Sequence, residues 1–300
     1  TRAFLKIEDG CDIFCSYCII PFVRGKVISK KIDDILFEAE QLVSNGYKEI
    51  VLTGIHLGAY GKETGYQFDI IDVLVELQTL PGLERIRLSS IEVNEITDDL
   101  IDVIADSDKV CPHFHLPLQS GDDSILKRMN RKYNAAQYLK TLEKIREKME
   151  LPSISTDVMV GFPGENRKHF ENTLRLCDQA GFSRTHIFPY SPREDTPAAK
   201  MSGHCKPSDI KERKKELESL AAETSLRYKN SFIGRDISML VENTRDKKTG
   251  KLCGYSDRYI KVLFDGPDDL MNEIVDVHVE RVLPQFVMGK RYSHAERGNK

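Results

Sequence analysis

Six apolar strand-like runs alternate with helical stretches from the N-terminus to about residue 190, and this alternation constrains the fold more than any other feature. "AFLKI" (Ala3–Ile7) reads as the first strand, and "IDDILFEAEQLVSNG" as an amphipathic helix stopped by Gly46. "EIVLTG", "RIRLSS", "HFHLPL", "ISTDVMVGF" and "THIFPYS" read as the other five strands. "FDIIDVLVELQTL", "TDDLIDVIADS", Asp122–Arg128, Asn134–Lys148 and Arg167–Ala180 read as the helices between them, with Thr97 and Asp98 as cap candidates. Strands joined by helical crossovers pair in parallel with right-handed connections. The pattern therefore predicts an α/β chain, either an open doubly wound sheet or a barrel of about six βα units. Both architectures gather functional loops at the C-terminal ends of the strands. The unusual residues fall there: three cysteines after the first strand, Thr53-Gly54 after the second and Ser89-Ser90 after the third. Gln119-Ser120-Gly121 follows the fourth, Gly161–Glu165 the fifth and Tyr190-Ser191 the sixth.

The texture changes after "SPREDTPAAKMSGHCKP". Ser208–Ile233 reads as one long charged helix, whose lysines and arginines are interleaved with glutamates as on a solvated face. "DISMLVEN", "LCGYSD", "YIKVLFD" and "EIVDVHVERVL" then read as the strands of a small all-β barrel. The division expected is residues 1–227, with the long helix trailing; 228–285, the small barrel; and 286–300, a polar, basic tail read as loosely ordered. There is no run of 18 apolar residues, which argues against a membrane span. "TRAFLKIEDG" lacks the apolar core of a signal peptide, and with no initiator Met it reads as the start of a piece of a longer chain. Seven cysteines in no disulfide-framework spacing suit a reduced, cytoplasmic setting. A net charge of −3 supports no whole-protein attraction to nucleic acid, so an RNA partner has to be argued locally.

The stretch "GCDIFCSYCIIPFVRG" crowds Cys11, Cys15 and Cys18 into eight residues. Structural zinc sites are normally closed by four ligands in paired knuckles, so zinc would need a further ligand from elsewhere. Thiolates are the usual ligands of a [4Fe–4S] cube, and three of them leave one iron open. An open coordination position is what a substrate-binding metal site keeps. The iron–sulfur reading accounts for the count of three; zinc remains the alternative.

The spacing Cys11-x3-Cys15-x2-Cys18, with Tyr17 just before the last cysteine, resembles the signature of the radical S-adenosylmethionine (SAM) superfamily. Together with "LTGIHLGAYG", "RLSSIE", "HLPLQSGDDSILKRMNRKY", "TDVMVGFPGE" and "FPYSPREDTPAA", the stretch is similar to the methylthiotransferases of that superfamily over nearly all of residues 1–285. "VLTGIHLGAYG" and "SSIE" resemble the branch acting on N6-threonylcarbamoyladenosine beside the tRNA anticodon; branches acting on isopentenyladenosine or ribosomal protein are the rivals. The resemblance implies a partial (β/α)6 radical SAM barrel followed by a TRAM-type, OB-like RNA-binding barrel. It implies a [4Fe–4S] cluster on Cys11, Cys15 and Cys18, with SAM on the fourth iron. The activity implied is methylthiolation at C2 of the adenine, with tRNA as partner and an electron donor such as flavodoxin. Full-length relatives carry a second cluster on three more cysteines. Cys111, Cys177, Cys205 and Cys253 are singly placed, so this chain is expected to cleave SAM without transferring sulfur. A rival of another class is an RNA-binding module holding structural zinc.

The remaining site expectations are weaker. Tyr17, Thr53, Gly54, Ser90, Gly161 and Glu165 are cofactor-side candidates by resemblance: Thr53-Gly54 near the amino end of SAM, Gly161 and Glu165 near its adenine. Gln119 and Ser120 offer hydrogen-bonding groups for ribose or substrate. Asp157 is an acid in an apolar strand and needs a partner, either a ligand or an internal arginine. His113 and His115 face the same way, a placement more common for core or rim histidines than for ligands. Arg24 is a candidate to offset cluster charge. For RNA, the candidates are Arg245, Lys247, Lys248 and Lys251 on one loop, with Arg258 and Lys261, and with Tyr255 and Tyr259 as stacking surfaces.

Overall fold

The computed structural model describes residues 1–63 and 65–291. β1 (Arg2–Lys6) runs into the short β2 (Glu8–Asp9), which turns through the cysteine loop and α1 (Ile20–Arg24) to pair with β3 (Ile28–Ser29). Then follow α2 (Ile32–Ser44), β4 (Glu49–Thr53), α3 (Ile70–Gln78), β5 (Arg85–Leu88), α4 (Asp98–Ala105) and β6 (His113–His115). α5 (Asp123–Arg128), α6 (Ala135–Lys148), β7 (Ser153–Val160), α7 (Arg167–Ala180) and β8 (Arg184–Pro189) complete the unit. β1-β4-β5 and β6-β7-β8 are parallel sheets, and bridges Ile86–Val110 and Ser90–His115 join β5 to β6. The result is a six-stranded partial barrel, which settles the choice left open by the strand–helix alternation.

Local chemistry sets the helix ends. Asp69, Asn134 and Asn166 form capping boxes at α3, α6 and α7, while Thr97 accepts from the Leu100 N–H to cap α4. Gly181 ends α7 in the left-handed region at φ 57°, where a side chain would be strained. The sheet and its helices share one core that includes Leu5, Ile50, Leu52, Leu74, Ile86, Tyr138 and Val158.

α8 (Pro207–Asn230) packs along β8 and α7 and leads into β9 (Asp236–Val241), β10 (Leu252–Ser256), β11 (Lys261–Phe264), β12 (Ile274–Val282) and β13 (Val287–Lys290). These five strands close in the order β10-β11-β13-β12-β9 around Ile237, Met239, Val262, Phe264, Val277 and Val287. Gly254 allows the closure, because a Cβ there would stand 2.0 Å from the Leu240 carbonyl oxygen. One expectation is corrected here. The tail was expected to begin at residue 286, but Val287–Lys290 forms β13 between β11 and β12. Without it the barrel would be open. Its sequence, "VMGK", is too short to signal a strand, and only its two partners make it one. Residues 292–300 of the expected tail lie outside the described residues.

The small barrel abuts the opening ends of β1, β4 and β5. Arg85 donates to Ser238 Oγ at 2.6 Å, Lys48 pairs with Glu273 at 2.6 Å, and Arg258 Nε donates to the Leu151 carbonyl at 3.0 Å. The cysteine loop lies at the opposite ends of those strands. Among the described residues no helix is long and apolar enough to cross a membrane.

Candidate metal centre

The cysteine loop is anchored at both ends and along its middle. It opens at Gly10, whose φ is 88° and where a Cβ would stand 2.0 Å from the Lys26 carbonyl oxygen; no residue but glycine fits. The Cys11 N–H donates to the Gly25 carbonyl at 3.1 Å. Midway, the Ser16 N–H donates to the Met129 carbonyl at 3.0 Å, and Ser16 Oγ donates to the Arg128 carbonyl at 2.8 Å. Asn130 Nδ2 donates to the Phe14 carbonyl at 2.8 Å. The loop is thus fastened to the C-terminal end of α5, more than a hundred residues away in sequence.

Cys11, Cys15 and Cys18 are all free thiols, Cys15 buried and the other two half-buried. Burial pushes the Cys18 thiol above its ordinary range, and its two neighbouring cysteines push it further, so the three groups sense one another. Among the described residues, the His, Cys, Asp and Glu set converging within 4.8 Å is elsewhere in the barrel, at His115, Asp157 and His186. Three cysteine thiols on one short loop are the donor set of a polynuclear iron–sulfur cluster with one iron left open. The residues present fit that group.

Two cationic side chains stand against the sulfurs. Arg131 Nη1 lies 3.1 Å from Cys15 Sγ, while its Nη2 pairs with Glu92 and its Nε donates to Tyr133 Oη at 3.1 Å. His56 Nε2 lies 2.9 Å from Glu95 Oε1. Burial acts to lower the His56 imidazole, but Cys11 and Glu95 outweigh it and push it up to about 10. Both groups bring positive charge up to the cysteine loop. Sequence reasoning missed His56, Glu92, Glu95 and Arg131. Their only signal was position, as charged residues just beyond strand or helix ends inside the stretches "LTGIHLGAYG", "SSIEVNE" and "RMNRKY".

The structure places the other candidates variously. Tyr17 packs edge-on against Phe162 with centroids 6.4 Å apart, beside the cysteines. Thr53 ends β4, and the close approach at Gly54 is to a protein group: a Cβ there would stand 2.4 Å from Glu8 Oε2. Glu8 is 2% exposed, and its Oε1 has no hydrogen-bond partner. Ser90 pairs with His115 across β5 and β6 and lines the lumen. Gln119 sits at φ 62°, its N–H donating to the Asp157 carbonyl at 2.8 Å. Ser120 is 1% exposed, and its Oγ accepts from the Asp122 N–H at 3.2 Å. Glu165 accepts from the Gly161 N–H at 2.9 Å and from Arg213 of α8 at 2.7 Å. Asp157 meets a histidine: His115 Nε2 lies 3.3 Å from its carboxylate. Arg24 pairs with Asp9 at 3.1 Å.

On the small barrel, most of the expected RNA cations are held by local acids. Arg245 pairs with Asp268 at 2.6 Å, Lys261 with Asp246 at 3.0 Å, Lys251 with Asp265 and Arg258 with Asp257. Lys247 and Lys248 are exposed on the same loop. Tyr255 and Tyr259 are half-buried. Arg2 lies 4.7 Å over the Tyr255 ring, Arg87 4.6 Å over Tyr259, and His113 packs 5.2 Å from Tyr259. Both rings close the floor of a lumen cavity of about 570 Å³, which His113, His115, Ser155, Arg184 and His186 also line.

Residues 5–177 match the Radical SAM superfamily. The chain is 39% identical over 282 residues to the threonylcarbamoyladenosine tRNA methylthiotransferase MtaB of Bacillus subtilis, covering 93% of this chain and 62% of that protein. It is 38% identical to a tRNA-2-methylthio-N(6)-dimethylallyladenosine synthase of Alkaliphilus oremlandii, covering 93% and 59%. Against MtaB of Chlamydia pneumoniae it is 39% identical over 97% of this chain and 68% of that protein. The chain thus spans roughly three fifths of the curated relatives it matches. Among solved structures it resembles the radical SAM methyltransferase TsrM of Kitasatospora setae, with TM-score 0.55 and 14% identity over 66% of this chain and 38% of that one. Fold, cysteine loop and relatives agree: this chain belongs to the radical SAM superfamily and, within it, to the family of the tRNA methylthiotransferases.

Proposed function

We propose that the chain is the radical SAM portion of an enzyme that methylthiolates C2 of N6-threonylcarbamoyladenosine next to the tRNA anticodon. The observation that carries the reading is the loop of Cys11, Cys15 and Cys18 at the mouth of the partial barrel, braced by Arg131 and facing His56. The Bacillus subtilis relative names the substrate. Cys11, Cys15 and Cys18 would hold a [4Fe–4S] cluster that, when bound, would supply the single electron for reductive cleavage of SAM. The protein's own work is positional. Arg131 and His56 compensate thiolate charge, and Asn130 and Ser16 hold the loop. β9–β13 act as the TRAM-type barrel through which tRNA is gripped, with Lys247 and Lys248 as phosphate contacts. An electron donor such as flavodoxin supplies the electron.

A second reading, dimethylallyladenosine as substrate, is favoured by the 38% identity to the Alkaliphilus oremlandii synthase. Two measurements test the proposal. Anaerobic reconstitution with iron and sulfide, then SAM and dithionite, should yield 5′-deoxyadenosine from the chain and none from Cys15→Ala. The tRNA nucleosides of cells with and without the gene should differ in the methylthio derivative of threonylcarbamoyladenosine. A difference confined to dimethylallyladenosine establishes the second reading, and absence of 5′-deoxyadenosine overturns both.

A further inference from the structure

Deep in the partial barrel, three potential metal ligands converge from three adjacent strands. His115 on β6, Asp157 on β7 and His186 on β8 place ligand atoms all within 4.8 Å of one another. Strand register explains the convergence. Asp157 stands directly opposite His186, and His115 stands opposite Ser155, two residues before Asp157 on the same face of β7. His115 is oriented by its second nitrogen: Nδ1 lies 2.9 Å from Ser155 Oγ, which leaves Nε2 turned toward Asp157 at 3.3 Å. His186 packs edge-on to His115 with centroids 5.6 Å apart. The side chains of His115 and Asp157 retain 17% and 25% exposure, and both imidazoles line the 570 Å³ lumen cavity. The two histidines are therefore reachable from the cavity, and the Asp157 side chain keeps part of its surface open.

We propose that His115, Asp157 and His186 form a divalent-cation site of the two-imidazole, one-carboxylate kind. Its donor set suits a borderline transition ion such as Zn²⁺, Co²⁺ or Fe²⁺. Ser155 acts as the outer partner that fixes which nitrogen of His115 is offered. Three protein ligands leave coordination positions facing the cavity, where solvent or a polar group of a bound nucleoside completes the shell. The site is separate from the cysteine loop in ligand chemistry, and the inference does not depend on the methylthiotransferase reading.

The test uses the full chain with Cys11, Cys15 and Cys18 all changed to Ala, so that no thiolate in the loop competes. Co²⁺ is added anaerobically and followed by its visible d–d absorption. Saturation near one equivalent per chain, without sulfur-to-cobalt charge transfer, is expected. His186→Ala and Asp157→Asn should abolish the signal, and Ser155→Ala should weaken binding about 10- to 100-fold by freeing the His115 ring. Circular dichroism of each variant checks that it is folded. If the cysteine-free chain does not fold, the difference spectrum between the wild-type chain and His186→Ala reads the same bands. No d–d signal, or a signal unchanged by His186→Ala, overturns the proposal and leaves His115–Asp157 as a contact between two side chains of the barrel wall.

Discussion

Arg87 Nε lies 2.9 Å from Glu49 Oε1 in the floor of the partial barrel, and both side chains are almost wholly buried. The other two nitrogens of Arg87 donate to the carbonyls of Asp257 and Ser256, at 2.7 and 3.1 Å. One guanidinium therefore neutralises a buried acid and satisfies a turn of the second barrel. Arg87→Met should cost about 3–5 kcal/mol, because it takes the hydrogen-bonded cation from the buried Glu49 charge and the side-chain donor from two carbonyls. Replacing both, as Glu49→Met with Arg87→Met, should cost less than the single change. Denaturant midpoints of the singles and the double check this, and an additive double variant refutes the coupling.

Glu49 also makes a prediction about acid. Burial acts to raise its carboxyl, but Arg87, Arg85 and Arg2 outweigh it and hold the group below its ordinary 4.5. A lowered folded value means that the stabilisation is present above about 4.5 and is lost as pH falls through the lower folded value. Glu49→Gln should accordingly be less stable than the parent at neutral pH, with a shallower acid limb. Thermal melts across an acid series read this, and parallel curves would dismiss it.

Arg131 sits 3.1 Å from Cys15 Sγ, which gives it an electrostatic role testable apart from folding. A positive charge beside a cluster ligand favours the reduced, more negative form. Arg131→Gln should lower the midpoint potential of the reconstituted centre, followed by EPR during redox titration, with Arg131→Lys restoring part of the shift. An unchanged potential would reduce Arg131 to a packing role.

Gly10→Ala should prevent the cysteine loop from closing. The added Cβ would meet the Lys26 carbonyl at 2.0 Å, and the backbone at φ 88° resists any side chain at a cost of roughly 1–3 kcal/mol. Iron bound per chain after reconstitution should fall well below that of the parent, while far-ultraviolet circular dichroism stays close to it. Full iron content in the variant would show the turn to be less demanding than its geometry.

The cations of the small barrel divide into paired and exposed ones. Lys247→Glu with Lys248→Glu should weaken tRNA binding and flatten its dependence on salt, by roughly one unit of log–log slope for each phosphate no longer neutralised. Lys251→Ala and Lys261→Ala, whose parents bind Asp265 and Asp246, should change affinity less. Filter binding over a salt series ranks them, and the opposite ranking would move the RNA face.

From the sequence alone, the strand–helix order, the parallel sheet, the Thr97 cap and the cysteine triplet were all legible. Each rests on local periodicity, a capping residue or a fixed short spacing, and none needs a distant partner. What surrounds the cysteines was not legible. Arg131 reaches Cys15 across 116 residues, and Arg213 reaches Glu165 across 48. Tyr255 and Tyr259, expected to face RNA, lie beneath arginines of the first barrel. β13 exists only because β11 and β12 flank it. A charged or aromatic side chain takes the partner that the fold brings near, since leaving it buried and unpaired costs several times what a local preference can offer. The sequence by itself therefore determined the elements and the metal-binding loop, and only the tertiary structure decided which groups tune that loop, which cations remain exposed, and that His115, Asp157 and His186 meet.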